Sequence, residues 1–391
     1  MVKPFQFSRL PKIYFKPGGI AGLTSIARQY GRNIVLVTGK SSFKNSRFAG
    51  FLLDDFKKNN IEYNVYVISE EPSPDSIDDA VRVFKDKEID LVIGIGGGSV
   101  MDAGKAVSAM MYRSESVAEF LEGVGNKEHP GTKLPYIAIP TTSGTGSEAT
   151  KNAVISRIGK DGFKRSLRHE NFVPDVALVD PELTLSCPAN ITAASGMDCF
   201  TQLTEAYLSV KSNEYTDALA FEGIKAIKNS LTRAYGNGND IDARTGMSFA
   251  ALTSGICLAN AGLGVVHGFA SSIGGMFDIP HGLICGTLMA KSNEVNIREL
   301  RKDDKNPVAL IKYSNLGKLF LNEIDKSDDF YIDGFMNYLY QLSDELKLKG
   351  SAKFGFSIKD IELISLTTET KNNPVRLTQE NLSEIVTSVI K

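Results

Sequence analysis

Through roughly the first 180 residues of this 391-residue chain, apolar residues fall in short unbroken runs; beyond about residue 190 they recur at helical spacing. The runs 33–39 (NIVLVTG), 62–68 (EYNVYVI), 89–95 (IDLVIGI), 135–139 (PYIAI) and 174–180 (PDVALVD) have strand length and are rich in β-branched residues. Between the second and third, DSIDDAVRVFKDK (75–87) predicts an amphipathic helix capped by Asp75 or Ser76. This alternation predicts an α/β region with a largely parallel sheet. AVISRIGKDGFKRSL (153–167) reads as a hairpin turning at Gly159–Gly162. From Asn190 onward the periodic segments 192–209, 214–230, 241–260, 283–296, 308–320, 331–347 and 379–390 all predict helices. We therefore expect two domains, an α/β domain over 1–187 and an all-α domain over 188–391. The cleft between them is the default place for a ligand.

Length and composition permit this division. Apolar residues make up 42% and charged residues 23%, ordinary for a soluble globular chain. A net charge of −2 leaves no basic excess to neutralise phosphates, which argues against nucleic acid as the main partner. Lys57, Lys58, Lys85, Lys87, Arg301 and Lys302 are scattered among acids and read as solvated faces. No stretch approaches the ~20 apolar residues of a membrane span. The opening MVKPFQFSRLPKIYFKPGG has no long apolar core, so a cytoplasmic protein is expected. Cys187, Cys199, Cys257 and Cys285 lack metal-cluster spacing and read as buried thiols. Cys199, beside Asp198, would project about 100° away from it around a helix.

Two loops invite a nucleotide. GIGGGSVMDAGKA (94–106) follows an apolar strand and opens a helix. Its glycines let backbone N–H groups approach a pyrophosphate, and the helix N-terminus adds partial positive charge. The third glycine of the common dinucleotide fingerprint is Ser99 here. A P-loop is excluded: Gly98 to Gly104-Lys105 spans one residue too many, and Ala106 stands where Ser or Thr is needed. PTTSGTGS (140–147) follows the strand 135–139 and offers hydroxyls and two glycines. Two such loops at strand C-termini fit the ligand rule for open parallel sheets; a plain tight turn is the alternative for either alone.

Metal chemistry is suggested farther on. Asp198 and Gln202 are four residues apart on a predicted helix and share a face. His267 and His281 follow, the latter after a Pro-containing turn, and the chain has only four histidines. A carboxylate with two imidazoles suits Fe2+ or Zn2+ and leaves positions open for substrate. Hydrogen-bonded core histidines are the plainer alternative.

GGGSVMDAGKA, IPTTSGTGSEAT, VDPELTLSCP, GMDCFTQLTEAYLS, GLGVVHGFA and DIPHGL occur in that order, and together the chain resembles the iron-containing (group III) alcohol dehydrogenase family. The resemblance runs from IYFKPGG (13–19) to NNPVRLTQENLSEIV (372–386). It implies a dehydroquinate synthase-like architecture, with a dinucleotide-binding α/β domain and a helical metal domain. It also implies metal ligands at Asp198, Gln202, His267 and His281, with Asp198, His267 and His281 as the catalytic set. Gly96, Gly97, Gly98 and Ser99 would contact phosphate, and Asp102 would lie near the nicotinamide. Thr141, Thr142 and Ser147 would line the adenosine and phosphate side, with Lys164 reaching in from the hairpin.

The chain departs from the family pattern twice. Gln202 stands where the family usually has His, and Ser271 where it often has a second His four residues after the first of the later pair. A neutral Gln amide is a weaker ligand, so Zn2+ or no metal stand beside Fe2+ as alternatives, and a proton relay at Ser271 is lost. NAD-preferring members tend to carry an Asp after the second strand. Here the strand ends in Gly39, followed by Lys40 and Ser41, which favours NADP(H) over NAD(H).

The expectation is an NAD(P)-dependent, metal-dependent alcohol dehydrogenase or aldehyde reductase, acting on a small alcohol or aldehyde as a homodimer or larger homo-oligomer. Its substrate pocket would draw on residues near 152, 256–261 and 354–356. A metal-free reductase and a non-catalytic nucleotide-binding relative are the alternatives. A lyase of the dehydroquinate synthase type would need more basic residues and histidines than this chain offers.

Overall fold

The structure, a computed structural model, describes residues 2, 4–159, 162–302, 307–348 and 357–389. Its strands are β1 (Lys12–Phe15), β2 (Asn33–Gly39), β3 (Glu62–Ile68), β4 (Leu91–Gly96), β5 (Tyr136–Pro140), β6 (Asn152–Arg157), β7 (Phe163–Arg168) and β8 (Val176–Val179). Six of them form one parallel sheet in the order β1-β8-β5-β4-β2-β3, and β6 and β7 pair as the expected antiparallel hairpin. Central β4 is buried along its whole length, which explains its uninterrupted apolar run: both faces are covered. Edge strand β3 alternates instead and leaves Val65 and Val67 exposed.

Helices α1 (Leu23–Ala27), α2 (Ala49–Lys58), α3 (Pro74–Phe84) and α4 (Gly98–Met110) accompany the sheet. Alternation along β2 divides the core. Ile34 and Leu36 pack with Leu23, Leu52 and Phe56 on one face; Val35 and Val37 pack with Ile77, Phe84 and Val107 on the other. The cap of α3 lies earlier than Asp75 or Ser76. Ser73 accepts from the Ser76 N–H, Ser76 Oγ accepts in return from the Ser73 N–H, and Pro74 begins the helix.

The second region is helical among the described residues: α5 (Ala189–Leu208), α6 (Glu214–Gly236), α7 (Ile241–Ala261), α8 (Val265–Met276), α9 (His281–Lys302), α10 (Pro307–Phe320), α11 (Asp328–Glu345), α12 (Ile358–Thr367) and α13 (Gln379–Thr387). Helix α5 is buried from Gly196 to Leu208 and packs against α6, α7 and α9. A helix covered on every side shows little amphipathic contrast. Sequence periodicity did not indicate β1, α8 or α12. β1 is only four residues long, and Gly268, Gly274 and Gly275 weaken the helical signal of α8. No single described helix is long and apolar enough to cross a membrane.

The two regions meet backbone to backbone. Gly146, in the loop after β5, has φ +61°, and a Cβ there would overlap the Gly255 backbone of α7. This contact requires both glycines.

Candidate metal and cofactor site

On the sheet side, β2 and β4 are neighbours, yet β2 leads to β3 on one side and β4 to β5 on the other. That reversal opens a crevice at the strand C-termini, where Gly39 and Gly96 lie. Gly97 caps α4 without a side chain, and while the Val100 N–H donates to Gly97 O at 3.0 Å, the Gly98 and Ser99 N–H groups are left for a ligand. The loop after β5 lies against this turn. The Thr141 N–H donates to Gly96 O at 2.8 Å, and a Cβ on Gly98 would come 2.7 Å from Thr145 Cγ2. Thr142 borders Gly97, Gly39 borders Val100, and Lys40 and Ser41 are exposed beyond the end of β2.

Ser99 and Lys164 meet at a carboxylate that sequence reasoning missed. Ser99 Oγ donates to Glu71 Oε1 at 3.3 Å, and Lys164 Nζ lies 3.2 Å from Glu71 Oε2. Burial works against the Glu71 charge, but Lys164, His281 and the Ser99 hydroxyl together outweigh it and hold the carboxyl below its usual range. Glu71 follows a strand in an acidic stretch, SEEP, which carries no periodic signal.

Asp102 and Ser147 belong to a network beneath the loops. Ser147 is 4% exposed, and its Oγ donates to Asp102 Oδ1 at 2.6 Å. The Ser147 hydroxyl expected on the adenosine side is thus engaged inside the protein. Lys105 Nζ donates to Ser147 O (2.8 Å), Ser147 Oγ (3.0 Å), Thr150 Oγ1 (3.0 Å) and Asn152 O (2.8 Å). This lysine ties α4 to the single segment 147–152, unlike a P-loop lysine. Burial lowers it to about 8, against the pull of Asp102 and Glu148. Burial likewise raises Glu148 to about 7.

On the helical side, α5 presents Asp198, Gln202 and Glu205 at i, i+4 and i+7, one face of the helix. Helix α8 supplies His267, and α9 begins at His281. Gly282 lets α9 lie on α5, since a Cβ there would overlap the Ala194 backbone. As a result Asp198 Oδ1 lies 3.3 Å from His267 Nε2 and 3.5 Å from His281 Nε2. Cys285, one turn along α9, puts Sγ 3.8 Å from His267 Nε2 and 3.7 Å from His281 Nε2. One donor atom from each of these four residues lies within 4.8 Å of all the others.

Glu205 holds the cluster from behind. Its Oε2 is 2.6 Å from His267 Nδ1, and its Oε1 accepts from the Val266 N–H at 2.7 Å. That leaves His267 Nε2 directed at the cluster. Burial lowers His281 to about 4, so its imidazole is neutral, as a ligand must be. Burial opposes ionisation of Asp198 too, but His281 and His267 hold it near 2. Gln202 Nε2 donates to Asp198 Oδ2 at 3.4 Å, and its buried Oε1 has no partner. His281 Nδ1 is also buried without a partner. Burial works against a charge on His267, but Cys285, Glu205 and Asp198 hold it well above its ordinary range, so a cation would take the place of its Nε2 proton. The carboxylate, the two converging imidazole nitrogens and the orphaned Gln202 Oε1 fit a divalent cation.

The model of the iron-containing alcohol dehydrogenase matches residues 11–181, and that of the Fe-containing family's C-terminal region matches 192–390. The chain belongs to the iron-containing alcohol dehydrogenase family. Long-chain-alcohol dehydrogenase 1 of Geobacillus thermodenitrificans is 40% identical over 56% of this chain and 56% of its own, less than two thirds of that relative's length. NAD-dependent methanol dehydrogenase of Bacillus methanolicus is 30% identical over 82% of each chain. The alcohol dehydrogenase of Oenococcus oeni superposes with TM-score 0.87 at 29% identity, covering 99% of this chain and 100% of that one. The parallel α/β region followed by an all-helical region is the architecture of this alcohol dehydrogenase family.

In this family member the loop after β5 and the start of α9 both lie against α5: a Cβ on Gly144 would come 2.8 Å from Ser195 Cβ, and one on Gly282 2.4 Å from Ala194 O. Ser271 Oγ donates to its own helix, at His267 O (2.9 Å). Of the expected pocket positions, Asn152 is half-buried and Asn260 is tied to the Ser8 N–H at 2.6 Å. Residues 354–356 lie outside the described residues. Glu205 and Cys285 were also missed. Both stand at helical spacing from a ligand, Glu205 seven residues after Asp198 and Cys285 four after His281, but that spacing gains meaning only from the packing of α8 and α9 on α5.

Proposed function

We propose that the protein is an NAD(P)-dependent, metal-dependent alcohol dehydrogenase that also runs as an aldehyde reductase. The convergence of Asp198, His267 and His281 within 4.8 Å carries this reading. Asp198, His267 and His281 would hold a divalent ion, Fe2+ or Zn2+, with Gln202 beside them. Such an ion supplies Lewis-acid polarisation of a substrate oxygen, and a bound nicotinamide supplies or accepts the hydride. Glu205 fixes the tautomer and orientation of His267. Gly96, Gly97, Gly98 and Ser99 cradle phosphate, Thr141 and Thr142 border it, and Lys164 closes the cradle from the hairpin. Asp102 and Ser147 brace these loops from below.

Within this reading NADP(H) is placed ahead of NAD(H) on the Gly39–Lys40–Ser41 terminus alone. The relative from Bacillus methanolicus is named NAD-dependent and lends that preference no support. A cytoplasmic homodimer or larger homo-oligomer completes the proposal; light scattering on the purified protein tests the assembly. The function itself is tested by aldehyde-dependent oxidation of NADPH and NADH after chelation, then after adding back Fe2+ or Zn2+. Activity lost on chelation and restored by one ion is expected. Full activity in protein shown by elemental analysis to be metal-free would overturn the metal-dependent reading.

A further inference from the structure

Cys285 stands in the ligand cluster although the family resemblance assigns it nothing. It lies one helical turn after His281, on the same face of α9. Metal–ligand bonds of about 2.0–2.3 Å in a tetrahedral site imply ligand–ligand separations of roughly 3.3–3.6 Å. The four measured pairs, at 3.3, 3.5, 3.7 and 3.8 Å, come close to that spacing. The set as a whole stays within 4.8 Å, so a small side-chain shift would close it around one ion.

Gln202 competes poorly for the same place. It turns its amide nitrogen, which cannot ligate, toward Asp198 at 3.4 Å, and its neutral amide oxygen is a weaker donor than a thiolate. Asp198, His267 and Cys285 are buried, so the thiol faces the other donors with little competing water.

Building on the metal-dependent reading above, we propose that Cys285 is the fourth protein ligand, binding the divalent ion as a thiolate beside Asp198, His267 and His281. On binding, the thiol releases its proton to solvent and an Sγ–metal bond forms. Carboxylate and thiolate then balance the charge of the ion, and the softer donor set favours Zn2+ over Fe2+. Gln202 becomes a hydrogen-bond donor to Asp198.

X-ray absorption at the zinc edge, on the full chain loaded with one equivalent of zinc, tests this. We expect one sulfur neighbour at about 2.3 Å among nitrogen and oxygen neighbours. Loading with cobalt(II) should give a thiolate-to-cobalt band in the near ultraviolet. Cys285→Ser should lose both signatures, and Gln202→Leu should keep them. The wild-type spectra decide by themselves, even where a variant folds poorly. Bound metal with only nitrogen and oxygen neighbours would overturn the role of Cys285 and leave the metal-dependent reading intact. A wild-type protein that takes up neither ion would overturn both.

Discussion

At the ends of β2, β4 and β5, a ligand would meet backbone N–H groups, glycines and small hydroxyl residues set by turns. In the helical region it would meet Asp198, His267, His281 and Cys285, drawn from three helices and steadied by Glu205. The first site is made by the course of the main chain, so each side chain contributes a modest share. The second is made by side-chain atoms converging on one point, so each is hard to replace. Substitutions of comparable size should therefore cost far more in the helical region than at the strand ends.

Asp198→Ala is the strongest test of that contrast. Among the described residues it removes the one carboxylate within 3.5 Å of both imidazoles. Metal content and aldehyde-dependent NAD(P)H oxidation should both fall to background, with the far-ultraviolet spectrum unchanged. Retained metal and turnover would show that the side-chain cluster is not the working part. Glu205→Gln keeps shape but weakens the grip on His267 Nδ1. Metal affinity should drop about 10–100-fold, the usual cost of losing a ligand's outer partner. Competition against a chelator measures it, and an unchanged affinity would confine Glu205 to packing.

A third test concerns the support under the strand-end loops. Glu148 is 3% exposed, and burial raises it to about 7. Below its unfolded value of 4.5 the carboxyl is protonated in both states. As pH rises through about 7, the unfolded chain ionises more readily than the folded one, so the wild type loses stability. Glu148→Gln removes that loss. Urea unfolding at pH 5 and pH 8 should show the variant gaining on the wild type by on the order of 2–3 kcal/mol between the two. A pH-independent difference would mean that the folded carboxyl ionises normally.

The same contrast governs what could be read in the sequence. The strand runs of β2 and β3 matched to the residue because a parallel sheet writes itself as local apolar stretches between turns. The glycine-rich loop was legible for the same reason: its chemistry lies in consecutive residues. Asp198, His267 and His281 could be singled out by residue type and the scarcity of histidines, but nothing local joins residue 198 to 281, so only the resemblance implied that they act as one ligand set. Glu205 and Cys285 were passed over because a carboxylate or thiol inside a helix usually serves the helix surface or core. Their spacing to a ligand becomes meaningful only once α8 and α9 are known to pack on α5. Glu71 had no signal of any kind, because its partners Ser99 and Lys164 come from a different strand end and from the hairpin.

The smallest effect should come from the residue on which the cofactor preference rests. Lys40 is exposed past the end of β2, where Gly39 presents no carboxylate to a ribose. An exposed cation contributes at most about 1 kcal/mol to an ion pair, equivalent to a roughly fivefold change. Lys40→Ala should therefore raise KM for NADPH about threefold to fivefold and leave NADH unaffected. Gly39→Asp pushes the same balance further by placing a negative charge where a 2′-phosphate would sit. The space allows it, with Ser42 Oγ 3.1 Å from the new Cβ and free to turn. If neither change moves the ratio of the two cofactors, the strand terminus does not select between them. The main-chain cradle would then accept both, as a site built from backbone rather than side chains should.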